Sequence, residues 1–316
     1  MSGAESAAPL SPGERLEQVA VALPAAAETP TPRRTPFREL WWRYLVGLIA
    51  MAFALFPIVY VVSAAFNPVP SLSTASVVPE GVTLDNFRAI LTNEREPYPN
   101  WYVNTMIVAT FTAVLTVLLG ALAAYAFSRF RFKGRRMGML ALLLIQMFPQ
   151  FLAVVAIFIV FTEVNELYPA FGFDSIWGLL LLYLGGALGV NTYLMKGFLD
   201  TVPRELDESA TVDGASHTQI FWRIILPLVA PVLAVTAMLA FITTINEFLI
   251  ANIFLREDDT KTLALGMFGL LGPDSRNSNF GIFAAGTLLT AIPTVSVFLW
   301  LQKYIVSGLT MGAVKG

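Results

Sequence analysis

The sequence predicts an all-α membrane protein: six transmembrane helices, with a two-helix loop on one side of the membrane. Two observations carry that prediction. Of 316 residues, 56% are hydrophobic and 13% charged, where an average soluble domain is about a quarter charged. The apolar residues also arrive in long uncharged runs rather than at strand or single-face helical intervals. In lipid each backbone amide must be paired within its own segment, and a hydrocarbon core of about 30 Å takes roughly 20 helical residues to cross. Six runs meet that length: residues 44–66, 101–128, 137–162, 175–195, 224–246 and 281–302. They lack the two-residue alternation of a transmembrane barrel strand.

Orientation follows from Lys and Arg, which accumulate in cytoplasmic flanks. With the N-terminus inside, fifteen of the 20 basic residues are cytoplasmic, among them Arg129, Arg131, Lys133, Arg135 and Arg136 between the second and third spans. The outer loops hold only Arg88, Arg95, Arg256, Lys261 and Arg276, interleaved with carboxylates. Both chain ends are therefore expected in the cytoplasm, and the chain in the cytoplasmic (inner) membrane. Residues 1–40 are rich in Ala, Pro, Ser and Thr without an apolar run. They read as a disordered cytoplasmic tail preceding a six-helix transmembrane domain over 41–316, because too little apolar surface is present to offset the entropy of ordering. The first apolar run is long enough to span, so no cleaved leader is expected.

Several chemistries are excluded by composition. With no Cys and a single His217, neither thiolate catalysis nor a histidine-rich metal site is available within the chain. A net charge of −2 leaves no basic excess for nucleic acid. The chain contains no Gly-Lys dipeptide, so it has no phosphate-binding loop of the Walker type. Driven work would have to draw on another subunit or on an ion gradient. The gradient alternative asks for ionisable residues at mid-span. Glu247 comes nearest, but 23 residues after the expected inner start of its span it falls at about the outer interface, as a solvated or headgroup-level carboxylate.

Polar residues inside the runs are Asn104, Gln146, Ser175, Asn191, Thr243, Thr244 and Asn246. They are expected as interhelical hydrogen bonds, with Gln146, Asn191 and Thr243 the candidates for lining a solute pathway. Pro149 and Pro293 remove amide donors and predict kinks. Gly185 and Gly189 have the spacing that lets another helix approach closely.

The cytoplasmic stretch at about 200–227 carries the most information. Pro203, followed by Glu205, Asp207 and Glu208, opens a short helix with carboxylates at its favourable end, and Asp213-Gly214 supplies the positive φ that ends it. Ser216-x-x-Gln219 is a capping box for a second helix with Ile220, Phe221 and Ile224 on one face, running to Leu226-Pro227. Such a hairpin reads as a docking knob, with an amphipathic connector lying on headgroups as the alternative.

The order Glu208-Ser209-Ala210, then Gly214, then Ile224-x-Leu226-Pro227 resembles the EAA loop of ABC importer permeases, with Ser209 in place of the usual first alanine. Residues 124–132 (Ala-Tyr-Ala-Phe-Ser-Arg-Phe-Arg-Phe), 146–149 (Gln-Met-Phe-Pro), 183–186 (Tyr-Leu-Gly-Gly) and the terminus from Gly308 to Gly316 are similar to the MalG-type subunit of maltose/maltodextrin importers. The resemblance covers about residues 40–316, with a longer N-terminal tail and the outer loop 67–100 as departures. It implies the ABC type I importer permease fold and a complex of this subunit with a MalF-like second permease, a MalK-like ATPase dimer and an extracytoplasmic sugar-binding protein. ATP and Mg would then reside on the partner subunits, leaving this chain without a cofactor and without enzymatic activity of its own. By the same resemblance Glu208, Ser209, Ala210, Asp213, Gly214, Ile224, Leu226 and Pro227 couple to the ATPase, with Glu208 facing an ATPase arginine. Thr310, Gly312, Lys315 and Gly316 belong to a tail reaching the ATPase subunits. Two other classes compete: a gradient-driven transporter, disfavoured by the lack of mid-span ionisable groups and of an evident internal repeat, and a membrane enzyme or anchor, disfavoured because no acid/base pair shares one membrane depth.

Overall fold

The computed structural model describes residues 37–68, 79, 81–272, 275 and 277–313. The expected N-terminal tail lies outside them, apart from its last residues, which open helix α1 (Phe37–Phe66). The chain divides into two compact units, residues 1–56 and 57–316. In the first, α1 is exposed at each position from 41 to 56. An apolar helical stretch with no buried position suits contact with lipid or with another chain.

In the second unit, two helices are long and continuous: α3 (Tyr98–Arg129), which follows the short α2 (Asp85–Thr92), and the last helix, which extends over Phe280–Ala313. The other three predicted spans are broken. Helices α4 (Arg135–Met147) and α5 (Gln150–Leu167) meet at 100°. Helices α6 (Ile176–Gly185) and α7 (Val190–Leu199) meet at 55°. The helical segment from His217 to Leu228 meets the helix Ala230–Ile245 at 78°. Six crossings result if each bent pair is one span.

The breaks have identifiable causes. Phe148-Pro149 is extended between α4 and α5, where proline supplies no amide. Pro231 sits in the first turn of Ala230–Ile245 and cannot donate back across the bend. Pro293 does not end its helix, which continues through it to Ala313. The Gly-x-x-x-Gly segment is not a helix-packing face, because α6 stops at Gly185 and α7 starts at Val190. Gly189 does admit a close neighbour, but a side chain: a Cβ there would lie 2.0 Å from Nε2 of Gln146.

The remaining α-helices among the described residues are α8 (Glu205–Val212), α9 (His217–Ile220), α10 (Leu226–Leu228), α11 (Ala230–Ile245), α12 (Leu249–Phe254), α13 (Leu263–Leu270) and α14 (Phe280–Ala313). Helix α3 is the axis of the unit and packs against α11, α7, α6 and α13, while α11 also packs against α14. Apart from Tyr98, Trp101, Val108 and Tyr125, its buried positions are small or hydroxylic, with Thr105, Ala109, Thr112, Ala113, Thr116, Gly120, Ala121 and Ala124 among them, so neighbouring backbones come close. The segment between α11 and α14 is structured: Thr105 Oγ1 accepts a 2.7 Å hydrogen bond from the buried Leu263 amide at the start of α13. Trp101 Nε1 donates to the Asp258 carbonyl at 2.6 Å.

Thr105→Val should strand the Leu263 amide and destabilise the fold by about 1–3 kcal/mol, the cost of a buried orphan donor. A melting midpoint in detergent equal to wild type would show that this bond carries no weight.

Candidate coupling site and solute cavity

The two-helix loop closes on itself through local chemistry. Gly214 has φ +85°, its amide donates to the Thr211 carbonyl at 3.0 Å, and the Ala215 amide donates to Ala210 at 2.9 Å. These are the paired bonds of a Schellman ending, accompanied by its apolar contact, since Ala210 and Ala215 share one core cluster. Ser216 then caps the next helix: its Oγ accepts from the Gln219 amide at 3.3 Å, and Gln219 Oε1 accepts from the Ser216 amide at 2.8 Å. Residues 221–225 form a π turn, closed by the Leu226 amide on the Phe221 carbonyl, five residues back. The wider turn shifts the phase of the helix by a residue. Ile225 is therefore the residue fully buried beside Ile220 and Phe221, and the predicted Ile224 is only partly buried. Pro227, which donates nothing, follows the wide turn immediately.

The end of α3 grips this hairpin. Arg129 Nε lies 2.6 Å from Asp207 Oδ2, an ion pair without linear hydrogen-bond geometry, with side chains 6% and 18% exposed. Its guanidinium also donates to the Val202 carbonyl at 3.0 Å. Ser128 Oγ donates to Asp200 Oδ1 at 2.6 Å, and the Ser128 carbonyl accepts from Arg204 at 2.9 Å. Burial alone would raise the Asp200 carboxyl, but hydrogen bonds from Lys196 and Ser128 and the charges of Lys196 and Arg135 outweigh it and hold it below its ordinary value. With a lowered folded-state value, this contact stabilises at neutral pH and is lost as acidification passes that value. Tyr125 packs on Phe221 with ring centroids 5.1 Å apart, and Phe130 meets the edge of His217 at 5.3 Å.

Of the predicted coupling residues, Ala210 is buried, Ile224 and Leu226 are partly buried, and Glu208, Ser209, Asp213, Gly214 and Pro227 are exposed. Among the described residues Glu208 has no ion-pair partner. It rims a depression of about 350 Å³ shared with Tyr125, Arg129, Arg204, Asp207 and His217. Sequence reasoning missed the receptor residues Ser128, Arg129, Asp200, Arg204 and Asp207. For Ser128 and Arg129 a signal lay in the 124–132 stretch, where an Arg directly ends a long apolar run. Thr310 and Gly312 fall within the last turns of α14, and Lys315 and Gly316 lie outside the described residues.

Asn191 and Thr243 line one cavity of about 230 Å³ among α3, α6, α7 and α11. Gln146 reaches its edge by donating to the Gly186 carbonyl at 3.3 Å. The expectation of interhelical hydrogen bonds holds for Gln146. Asn104 donates instead to the Asp259 and Lys261 carbonyls, while Ser175 caps α6 and Thr244 and Asn246 bond within their own helix. Glu247 lies just past α11 and is half-buried rather than a solvated carboxylate. It accepts hydrogen bonds from the Tyr183 hydroxyl at 2.6 Å and from the amides of Ile250 and Ala251, so it caps α12 and forms part of the cavity wall.

A hairpin docked on an axial helix, beside a cavity among broken spans, is the setting in which the relatives are informative. Residues 116–310 match the model of the family "binding-protein-dependent transport system inner membrane component". The chain belongs to that family. It is a multi-pass inner-membrane permease and not a catalytic enzyme. The galactooligosaccharides transport system permease protein GanQ of Bacillus subtilis is 41% identical over 279 residues, 88% of this chain and 96% of that relative. The maltodextrin permease protein MdxG of the same organism is 37% identical over 86% of this chain and 95% of its own length. MalG of Vibrio parahaemolyticus is 35% identical over 88% and 96%. The relatives thus span several sugar-uptake permeases, coarser than the MalG type expected from sequence. A solved bacterial ABC transporter that imports the acidic polysaccharide alginate shares the fold, with TM-score 0.70 and 22% identity over 87% of this permease and 99% of that chain.

Gly214→Ala should cost about 1–2 kcal/mol, the left-handed penalty for a residue with a Cβ. No atom lies within 4 Å of a Cβ built there, so the effect is conformational rather than steric. Hydrogen exchange of the 205–228 segment would report it, and unchanged protection would refute it.

Proposed function

We propose that this chain is the permease subunit of an ATP-driven importer for neutral oligosaccharides of the maltodextrin or galactooligosaccharide kind, forming half of the membrane pathway. The observation that carries the reading is the hairpin at 205–228: it is tied to α3 by the Arg129–Asp207 pair while Glu208 is exposed and unpaired among the described residues. A carboxylate presented on a rigid knob is ready for a partner's guanidinium, the strongest polar pairing available at an interface. Motion of that knob would pass to α3 and α11, because both belong to the same core cluster as the hairpin. Alternating access then needs only rigid-body rotation of packed helices.

In this reading the chain works with a second, MalF-like permease, a MalK-like ATPase dimer that binds ATP and Mg, and an extracytoplasmic sugar-binding protein. The hairpin and both chain ends face the cytoplasm, in keeping with the basic excess on that side. Glu208, Ser209, Ala210, Asp213, Gly214, Ile224, Leu226 and Pro227 form the ATPase contact and its support, and the terminal residues from Thr310 to Gly316 reach the ATPase. Gln146, Asn191 and Thr243 face the solute path. The relatives named for galactooligosaccharide and maltodextrin transport support the substrate class, and their division between two sugar types leaves the linkage to be measured.

Glu208→Lys should abolish sugar-stimulated ATP hydrolysis by the purified complex, at least tenfold, while leaving its yield unchanged, because like charge would face the ATPase arginine. Wild-type stimulation in that variant would overturn the docking role. Deleting residues 310–316 should lower co-purification of the ATPase, and an undiminished complex would remove the tail from the mechanism.

A further inference from the structure

The loop between α3 and α4 carries charge that the hairpin does not use. Of the basic residues at 129–136, Arg129 pairs with Asp207 and Arg135 donates to the Ser128 carbonyl at 3.5 Å. Arg131, Lys133 and Arg136 are exposed, and their side chains have no ion-pair or hydrogen-bond partner among the described residues. Carboxylates nearby in the chain cannot compensate them, because there is no Asp or Glu between Glu96 and Glu163. Arg135 and Arg136 also open α4, the end at which the helix dipole disfavours cations, and its first turn holds no acidic residue. Like charges gathered in this way repel one another unless an anion joins them.

Apolar side chains interleave with these cations. Phe132 is 46% exposed and Met137 is 69% exposed, and the Phe132 ring lies 5.5 Å from that of Phe127 on α3. Gly134, at φ +87°, turns the chain, and residues 131–137 line one open recess of about 660 Å³. That volume falls within the roughly 300–1,000 Å³ of small-ligand sites. Helix α3 is long and apolar enough to cross a membrane, and α4 is the first half of a bent pair that passes the same test. Each residue of 130–134 is within three residues of a helix end, a reach of about 10 Å. The loop is thereby held near the headgroup layer, which adds about 5–8 Å on each side of the hydrocarbon core.

We infer that the 131–137 loop binds the headgroup of an anionic phospholipid, with Arg131, Lys133 and Arg136 meeting phosphate and Phe132 and Met137 meeting the acyl chains. A soluble acidic partner would satisfy the cations and leave two apolar side chains in water, whereas a lipid has chemistry for both. The inference goes beyond the importer reading, from which it takes only the cytoplasmic placement of the loop, on the leaflet whose surface is negatively charged.

The test uses the complex purified through this chain, in lipid nanodiscs in which phosphatidylglycerol progressively replaces phosphatidylcholine, read by hydrogen exchange of the amides at 130–140. Exchange should slow as phosphatidylglycerol increases, and added salt should weaken the protection. Arg136→Gln should raise the phosphatidylglycerol fraction at half-protection about fivefold, the factor expected for one basic side chain at a membrane surface. Combining it with Arg131→Gln and Lys133→Gln should abolish protection. Arg131→Lys with Arg136→Lys keeps the charge and should retain protection, which separates loss of charge from a damaged loop. Equal exchange in the two lipids, or protection that survives in the triple Gln variant, would overturn the site. Equal protection by inorganic phosphate in phosphatidylcholine discs would overturn it in favour of a free-anion site. Protection in those discs that vanishes when the ATPase is left out would overturn it in favour of a protein contact. Discs present the same lipids on both faces, so these outcomes do not depend on which side the loop faces. Sugar-stimulated ATP hydrolysis by the same complex tests the importer reading separately: if it is absent while lipid protection persists, that reading falls and the lipid site stands.

Discussion

The ion pair between Arg129 and Asp207 is the contact on which the hairpin's position depends. A charge taken from water is costly unless it is paired and its remaining hydrogen-bonding capacity is met. Here the guanidinium also reaches the Val202 carbonyl, and the neighbouring Ser128 binds Asp200 through its hydroxyl and Arg204 through its carbonyl. Two consecutive residues at the end of α3 therefore hold three points along the segment that leads into α8. Directional polar contacts fix orientation in a way that the apolar cluster around Phe221 and Ile225 cannot, because apolar burial is not directional. The exposed edge bearing Glu208 inherits its orientation from this arrangement.

Broken spans are the second constraint on this fold. Backbone that leaves the helical ladder at membrane depth must be buried in protein or line a wet cavity. In the break between α6 and α7, Ala187 and Gly189 are buried. Gln146 donates to the freed Gly186 carbonyl, and Gly186 and Ala187 lie in the lining of the 230 Å³ cavity. Gly186, within that interruption, is thus part of the cavity wall. Helix α3 is unbroken, and the Ala, Gly and Thr along much of its buried face let four neighbours pack on one axis.

Much of the coupling hairpin was legible in the sequence because its rules are local. The Schellman ending at Gly214 spans residues 210–215, and the capping box spans Ser216 to Gln219. The phase of the second helix was not legible. A π turn moved the buried position from Ile224 to Ile225, a shift that apolar periodicity at 3.6 residues per turn cannot foresee. Glu247 was expected as a solvated or headgroup-level carboxylate from rise along a straight span, whereas that span bends by 78° and the Tyr183 hydroxyl that binds Glu247 comes from a helix 64 residues earlier. Asn191 and Thr243 were named as pathway candidates from polarity alone, and it took their shared cavity to relate them.

The sequence by itself determined that this chain is helical and lives in lipid, how many apolar runs it has, and where the hairpin turns. Each of those follows from composition, from amides that must pair within a segment, or from caps closed over a few residues. Only the tertiary structure decided which runs bend, that Arg129 meets Asp207, and that Asn191 and Thr243 line one cavity with Glu247. Those outcomes join residues far apart in the chain, and which distant side chains share a cavity depends on how the helices pack.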